Sequence, residues 1–136
     1  VLPIQALLSL PLIKLTIETS SNEDWLDSIG YTTPSDDPAP GSPIPLDGIL
    51  LILTVRDSVD DLAVLLTAST ENGLLQILPA NSGSGINSVW MIAVYQQQFP
   101  ALLVPGSYVL EMQGIVGQNR RTIVEGTLTV DKGVSP

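Results

Sequence analysis

Apolar and polar residues alternate from Ile13 to Glu18, with Ile13, Leu15 and Ile17 on one side and Lys14, Thr16 and Glu18 on the other. A period of two over this length predicts a half-buried strand. Trp25, Ile29 and Tyr31 give apolar points for a second strand, interrupted by Gly30. Ile49 to Arg56 is apolar on both faces for most of its length, which predicts a central strand buried on both sides. Leu62 to Ser69 forms another apolar run, Glu71-Asn72-Gly73 a tight reversal, and Leu74 to Leu78 a short strand that Pro79 ends. The alternation resumes at Val89 to Tyr95, where Trp90, Ile92 and Val94 share a face. It returns at Ser107 to Gln113 and at Thr122 to Val130, which together read as a hairpin. Seven or eight closely spaced strands without a convincing helix predict an all-β fold, an antiparallel immunoglobulin-like β-sandwich.

Two segments stand outside this pattern. Residues 1–11 hold Leu2, Ile4, Leu7, Leu8 and Leu10, and Pro3 and Pro11 favour an extended N-terminal arm over a helical turn. Residues 32–45 contain five prolines, which remove donors so often that no strand ladder could run through them. This loop is read either as an exposed insertion or as a segment held against a partner. The sandwich is assigned to residues 12–132 and a short tail to 133–136.

The aliphatic pattern changes little when composition is added, but the range of possible partners narrows. Hydrophobic residues make up 44% of the 136 residues and charged residues only 14%, so part of the surface is expected to be covered by other molecules. Fourteen acids against five bases give a net charge of −9, which repels nucleic acid. Arg120 and Arg121, the one adjacent basic pair, read as a solvated hairpin tip. The apolar run at the start is shorter than the ~20 residues that span a bilayer and lacks the basic flank of a signal peptide. It is read as part of the mature structure, with no membrane association.

Chemistry is sparse. The chain has no His and no Cys, which excludes imidazole and thiolate catalysis, histidine-ligated zinc and disulfides. Lys14 and Lys132 lack a serine nucleophile motif, and Gly83-Ser84-Gly85 is neither a nucleophile elbow nor a phosphate loop. Asp36, Asp37, Asp57, Asp60 and Asp61 could supply paired carboxylates or calcium ligands. All fall in expected turns, and Asp57-Ser58-Val59-Asp60-Asp61 lacks the spacing of a calcium loop. No catalytic residue, cofactor or metal is expected.

Leu46 to Ile77, LDGILLILTVRDSVDDLAVLLTASTENGLLQI, resembles small sandwich domains of tailed bacteriophages, notably the N-terminal domain of upper baseplate proteins. The shared features are a hydrophobic-Asp-Gly turn, a strand ending at Val55-Arg56, a further strand and Thr70-Glu71-Asn72-Gly73. Leu103-Val104-Pro105-Gly106-Ser107-Tyr108 and the closing Glu125-Gly126-Thr127-Leu128-Thr129-Val130 are similar to that family's later segments. The resemblance covers most of residues 46–132. It implies a non-enzymatic virion structural protein, either a tail or baseplate adaptor or a capsid-associated protein. Such a protein is assembled in the host cytoplasm, and its partners are other virion proteins and copies of itself. The expected interface is the arm residues Leu2, Ile4, Leu7, Leu8 and Leu10 with Pro38, Pro40 and Pro43 of the loop, because one small sandwich offers the arm little cover. The alternative is an immunoglobulin-like carbohydrate- or protein-binding module of a cell-surface protein.

Overall fold

The computed structural model describes residues 2–20, 24–32, 43–58, 63–79, 86–94 and 105–131. One sheet has five strands in the order β1 (Ile13–Ser20), β8 (Asn119–Asp131), β7 (Gly106–Val116), β3 (Leu50–Arg56) and β4 (Leu66–Ser69). The other has three, in the order β2 (Trp25–Gly30), β6 (Asn87–Val94) and β5 (Leu75–Pro79). In immunoglobulin lettering β2, β6 and β5 are strands B, E and D, while β8, β7 and β3 are G, F and C, with β4 added as C′. Tyr108, buried near the start of β7, stands where that fold places its tyrosine corner.

The expected wholly antiparallel sandwich is corrected at one edge. β1 runs parallel to β8, from Ile13 opposite Val124 to Ser20 opposite Asp131. The two strands are separated by most of the chain, so no hairpin imposes an antiparallel sense. Gly126 makes the close pairing possible, since a Cβ there would overlap the backbone carbonyl of Leu15. Burial on both sides of β3 is also corrected. Leu51, Leu53 and Val55 are buried, whereas Leu50, Ile52, Thr54 and Arg56 are only half-buried and face outward.

The extended arm is the second correction, because residues Pro3–Ser9 form a helix, α1. Proline is well tolerated in the first helical turn, where its missing N–H would be unpaired anyway. The Leu2 amide donates to Gln5 Oε1 at 3.1 Å, supplying a local start. Pro11 follows the helix end instead of breaking the helix. Seven residues cannot hold a helix in water, so tertiary contacts must stabilise it. They come from two glycines: a Cβ at Gly114 of β7 would lie 2.6 Å from Leu7 Cδ1, and one at Gly48 would lie 2.7 Å from Pro3 Cγ. The helix therefore seats its side chains in hollows left by absent ones. Gly48, at φ +80°, also makes the turn before β3.

The core is less purely aliphatic than the low aromatic content suggests. Trp25, Trp90 and Tyr31 are among its largest fully buried side chains. Each indole is satisfied: Trp90 Nε1 donates to the Tyr31 hydroxyl at 3.2 Å and Trp25 Nε1 to Asp27 Oδ2 at 2.6 Å. Burial pushes the Tyr31 phenol above its ordinary value of 10.0, and the hydrogen bond from Trp90 offsets this only in part. A raised folded-state value stabilises the fold fully below the unfolded value near 10, and that contribution is lost as pH rises through the folded value. Tyr31→Phe leaves the Trp90 N–H unpaired at a cost of about 1–3 kcal/mol at neutral pH. Urea unfolding of both proteins is expected to show this gap narrowing as pH rises past the unfolded value near 10, because only the wild type must ionise a buried phenol.

Candidate functional site

The residues assigned to an interface by the sequence divide into three groups. Leu7 and Leu10 are 1% and 0% exposed and belong to the core, so their assignment to an inter-subunit contact is corrected. They are buried because α1 folds back onto the sandwich, with Leu7 seated at Gly114 of β7. Ile4 is half-buried against the same core. Leu2 and Leu8, each 63% exposed, remain on the surface of α1, and Leu12 beyond it is also exposed. Pro43 is half-buried and bridges Thr32, which brings the two ends of the proline-rich segment side by side. Pro38 and Pro40 lie outside the described residues.

Arg121 is a contributor that sequence reading misplaced. Far from marking a solvated tip, its Nη1 donates to the Leu8 carbonyl at 2.6 Å, capping the end of α1 with a cation. Arg120 Nη1 donates to Gln113 Oε1 at 2.9 Å on the neighbouring strand. The turn itself is made at Gly117, with φ +60°.

The outer face of the five-stranded sheet carries a charged row set by strand register. Lys14 lies opposite Glu125, Glu125 opposite Glu111, Glu111 opposite Thr54, and Thr54 opposite Thr67. Lys14, Glu125, Glu111 and Thr54 of this row line an open concavity of about 400 Å³ that also includes Arg56, Val109 and Thr127. Lys14 Nζ is 3.8 Å from Glu125 Oε1, and both side chains are well exposed, so the pair contributes at most about 1 kcal/mol. Glu111 Oε1 accepts from Gln113 Nε2 at 3.0 Å and from Thr122 Oγ1 at 3.4 Å. Arg56 Nε is buried beside this floor without a hydrogen-bond partner. The concavity presents carboxylates, hydroxyls and two cations, a lining suited to weak polar contacts.

The aspartates weighed as carboxylate pairs or calcium ligands are not brought together in the described part. Asp57 is exposed at the end of β3, and Asp36, Asp37, Asp60 and Asp61 lie outside the described residues. Among the described residues no three acidic side chains are placed to hold a metal ion. Ser69, buried at the end of β4, accepts from the amides of Glu71 and Asn72 at 3.2 and 3.1 Å. Asn72 Oδ1 in turn accepts from the amides of Ser69 and Leu74, both at 3.0 Å. The polar groups of this segment are spent on a turn that Gly73 completes at φ +83°. No described helix is long and apolar enough to cross a membrane.

Comparison with known proteins returned no matching family and no matching curated protein. The described class is thus an all-β sandwich of immunoglobulin-like strand order, with a short helix closing one end.

Proposed function

We propose that the chain is a non-enzymatic structural module of a bacteriophage virion, a tail or baseplate adaptor or a capsid-associated protein. It docks on neighbouring subunits in several copies, and its partners are other virion proteins and copies of itself. The observation that carries this reading is the placement of the phage-like segments. They supply β3, β4, β7 and β8, four of the five strands of one sheet. Within them Gly48 and Gly73 make positive-φ turns, and Gly126 admits β1. The similarity therefore lies in residues that build a scaffold, as befits a protein whose work is to be held in place. A net charge of −9 favours protein partners over nucleic acid.

The alternative, a cell-surface binding module, draws support from the concavity on the five-stranded sheet. Among the described residues no aromatic side chain lines it, so they offer a sugar no stacking surface. Quantitative mass spectrometry of purified phage particles encoding this chain separates the two. Several copies per particle are expected to remain after nuclease and high-salt washes. Absence from particles, together with saturable binding on a glycan array, would favour the alternative.

A further inference from the structure

Asn72-Gly73 is the one asparagine-glycine pair in the sequence, and it lies in the turn that carries the chain from β4 of one sheet to β5 of the other. Asparagine is a chemically labile residue, and a following glycine leaves the next backbone nitrogen unshielded by a side chain. Nothing lies within 4 Å of a Cβ built at Gly73, and both residues are exposed, so solvent reaches the bond. The Asn72 side chain is held at both ends. Its Oδ1 accepts from the amides of Ser69 and Leu74, both at 3.0 Å, and its Nδ2 donates to the Thr67 carbonyl at 2.9 Å. The Asn72 amide donates to Ser69 Oγ at 3.1 Å, closing a reciprocal pair. One side chain thereby ties two residues of β4 to the residue that precedes β5.

We propose that Asn72 is a modification site, converted to an aspartyl or isoaspartyl residue when β4 and its turn open, and held shut by the closed fold. The Gly73 nitrogen, having lost its proton to solvent, forms a bond to Asn72 Cγ. The Cγ–Nδ2 bond breaks and the nitrogen leaves as ammonia, taking its added proton from solvent, which leaves a five-membered succinimide. Water then opens the ring. Cleavage at Cγ restores the ordinary main chain with aspartate at 72, whereas cleavage at the Asn72 carbonyl carbon routes the main chain through Cγ as isoaspartate. Water oxygen replaces amide nitrogen and nothing is oxidised. The first step makes Cγ tetrahedral and pulls Nδ2 away, so the three hydrogen bonds that keep the side-chain amide flat and in place oppose it.

The element that must open is a small one. β4 has four residues and stands at the edge of its sheet, paired with β3, and such elements open well before the whole domain unfolds. Neither product closes as the amide does. Aspartate keeps an acceptor for the Ser69 and Leu74 amides but sets a second oxygen, without a proton, against the Thr67 carbonyl. Isoaspartate lengthens the main chain by one carbon in a turn fixed by Gly73 at φ +83°. Either product adds a carboxylate to a chain that already carries −9. The conversion is therefore one-way, and it records each opening that lasts long enough for the ring to close. It is a property of the isolated chain and does not depend on the virion reading.

Peptide mapping by mass spectrometry, on the full chain incubated at one pH and temperature in native buffer and in denaturing urea, tests the site. Conversion at Asn72 is expected to be at least about tenfold slower in native buffer, the effect of losing a net hydrogen bond or more in the folded state. Ser69→Ala removes the hydroxyl that holds the Glu71 and Asn72 amides, and is expected to speed conversion severalfold in native buffer while leaving the rate in urea unchanged. Converted chains, separated by ion exchange, are expected to melt below unconverted ones. Wild-type rates that agree within about twofold in the two solvents would overturn the inference, and this comparison needs no variant to fold. So would a folded Ser69→Ala that converts no faster than wild type. Equal melting of converted and unconverted chains would overturn its one-way character.

Discussion

Leu7→Ala is expected to lower unfolding stability by about 2–5 kcal/mol, the range for truncating a fully buried leucine. Leu7 is 1% exposed and fills the hollow at Gly114, where Ile49 also approaches. No partner is needed for this burial, so the loss is expected in the isolated monomer and at any protein concentration. Leu8→Ala, one residue along and 63% exposed, is expected to change stability by less than about 0.5 kcal/mol. Urea titration of the two variants distinguishes a helix that completes the monomer from an arm that ties subunits together. A neutral Leu7→Ala that weakened assembly would restore the tie. Deleting residues 1–10 is expected to follow Leu7→Ala, because it uncovers the same end of the sandwich.

Gly126→Val is expected to cost about 3 kcal/mol or more, since the added side chain meets backbone and has no flexible neighbour to displace. A Cβ at that position overlaps the Leu15 carbonyl, so β1 must move away from β8. The half-buried row of Ile13, Leu15 and Ile17 would then lose its register with the sheet. Native-state hydrogen exchange is expected to show lost protection confined first to β1 and its partners on β8, with β3 and β7 retained. Unchanged protection along β1 would show that the parallel pairing is absent in solution.

Where apolar alternation was strong, the sequence revealed the element and its buried face. Trp90, Ile92 and Val94 enter the core together, as do Tyr108, Leu110 and Met112. Sheet membership and strand sense were not legible, because pairing depends on which strands meet in space. The parallel β1–β8 pair follows from a glycine whose partner lies more than a hundred residues away. The N-terminal helix was hidden for a similar reason. Pro3 and Pro11 look like breakers, yet one sits in the first helical turn and the other beyond the last, and the stabilising contacts come from Gly48 and Gly114. Arg121 gave no local signal of its role, since its acceptor is the carbonyl of Leu8. The charged row on the five-stranded sheet was visible only as scattered outward positions until register aligned Lys14, Glu125 and Glu111.

The proposal of a multi-copy virion module meets its most direct test in a symmetry-resolved reconstruction of the phage particle. The expected density shows repeated sandwiches of five and three strands, each with α1 folded onto its own Gly114. Particles that contain no such density, while the chain is recovered elsewhere in the infected cell, would contradict it.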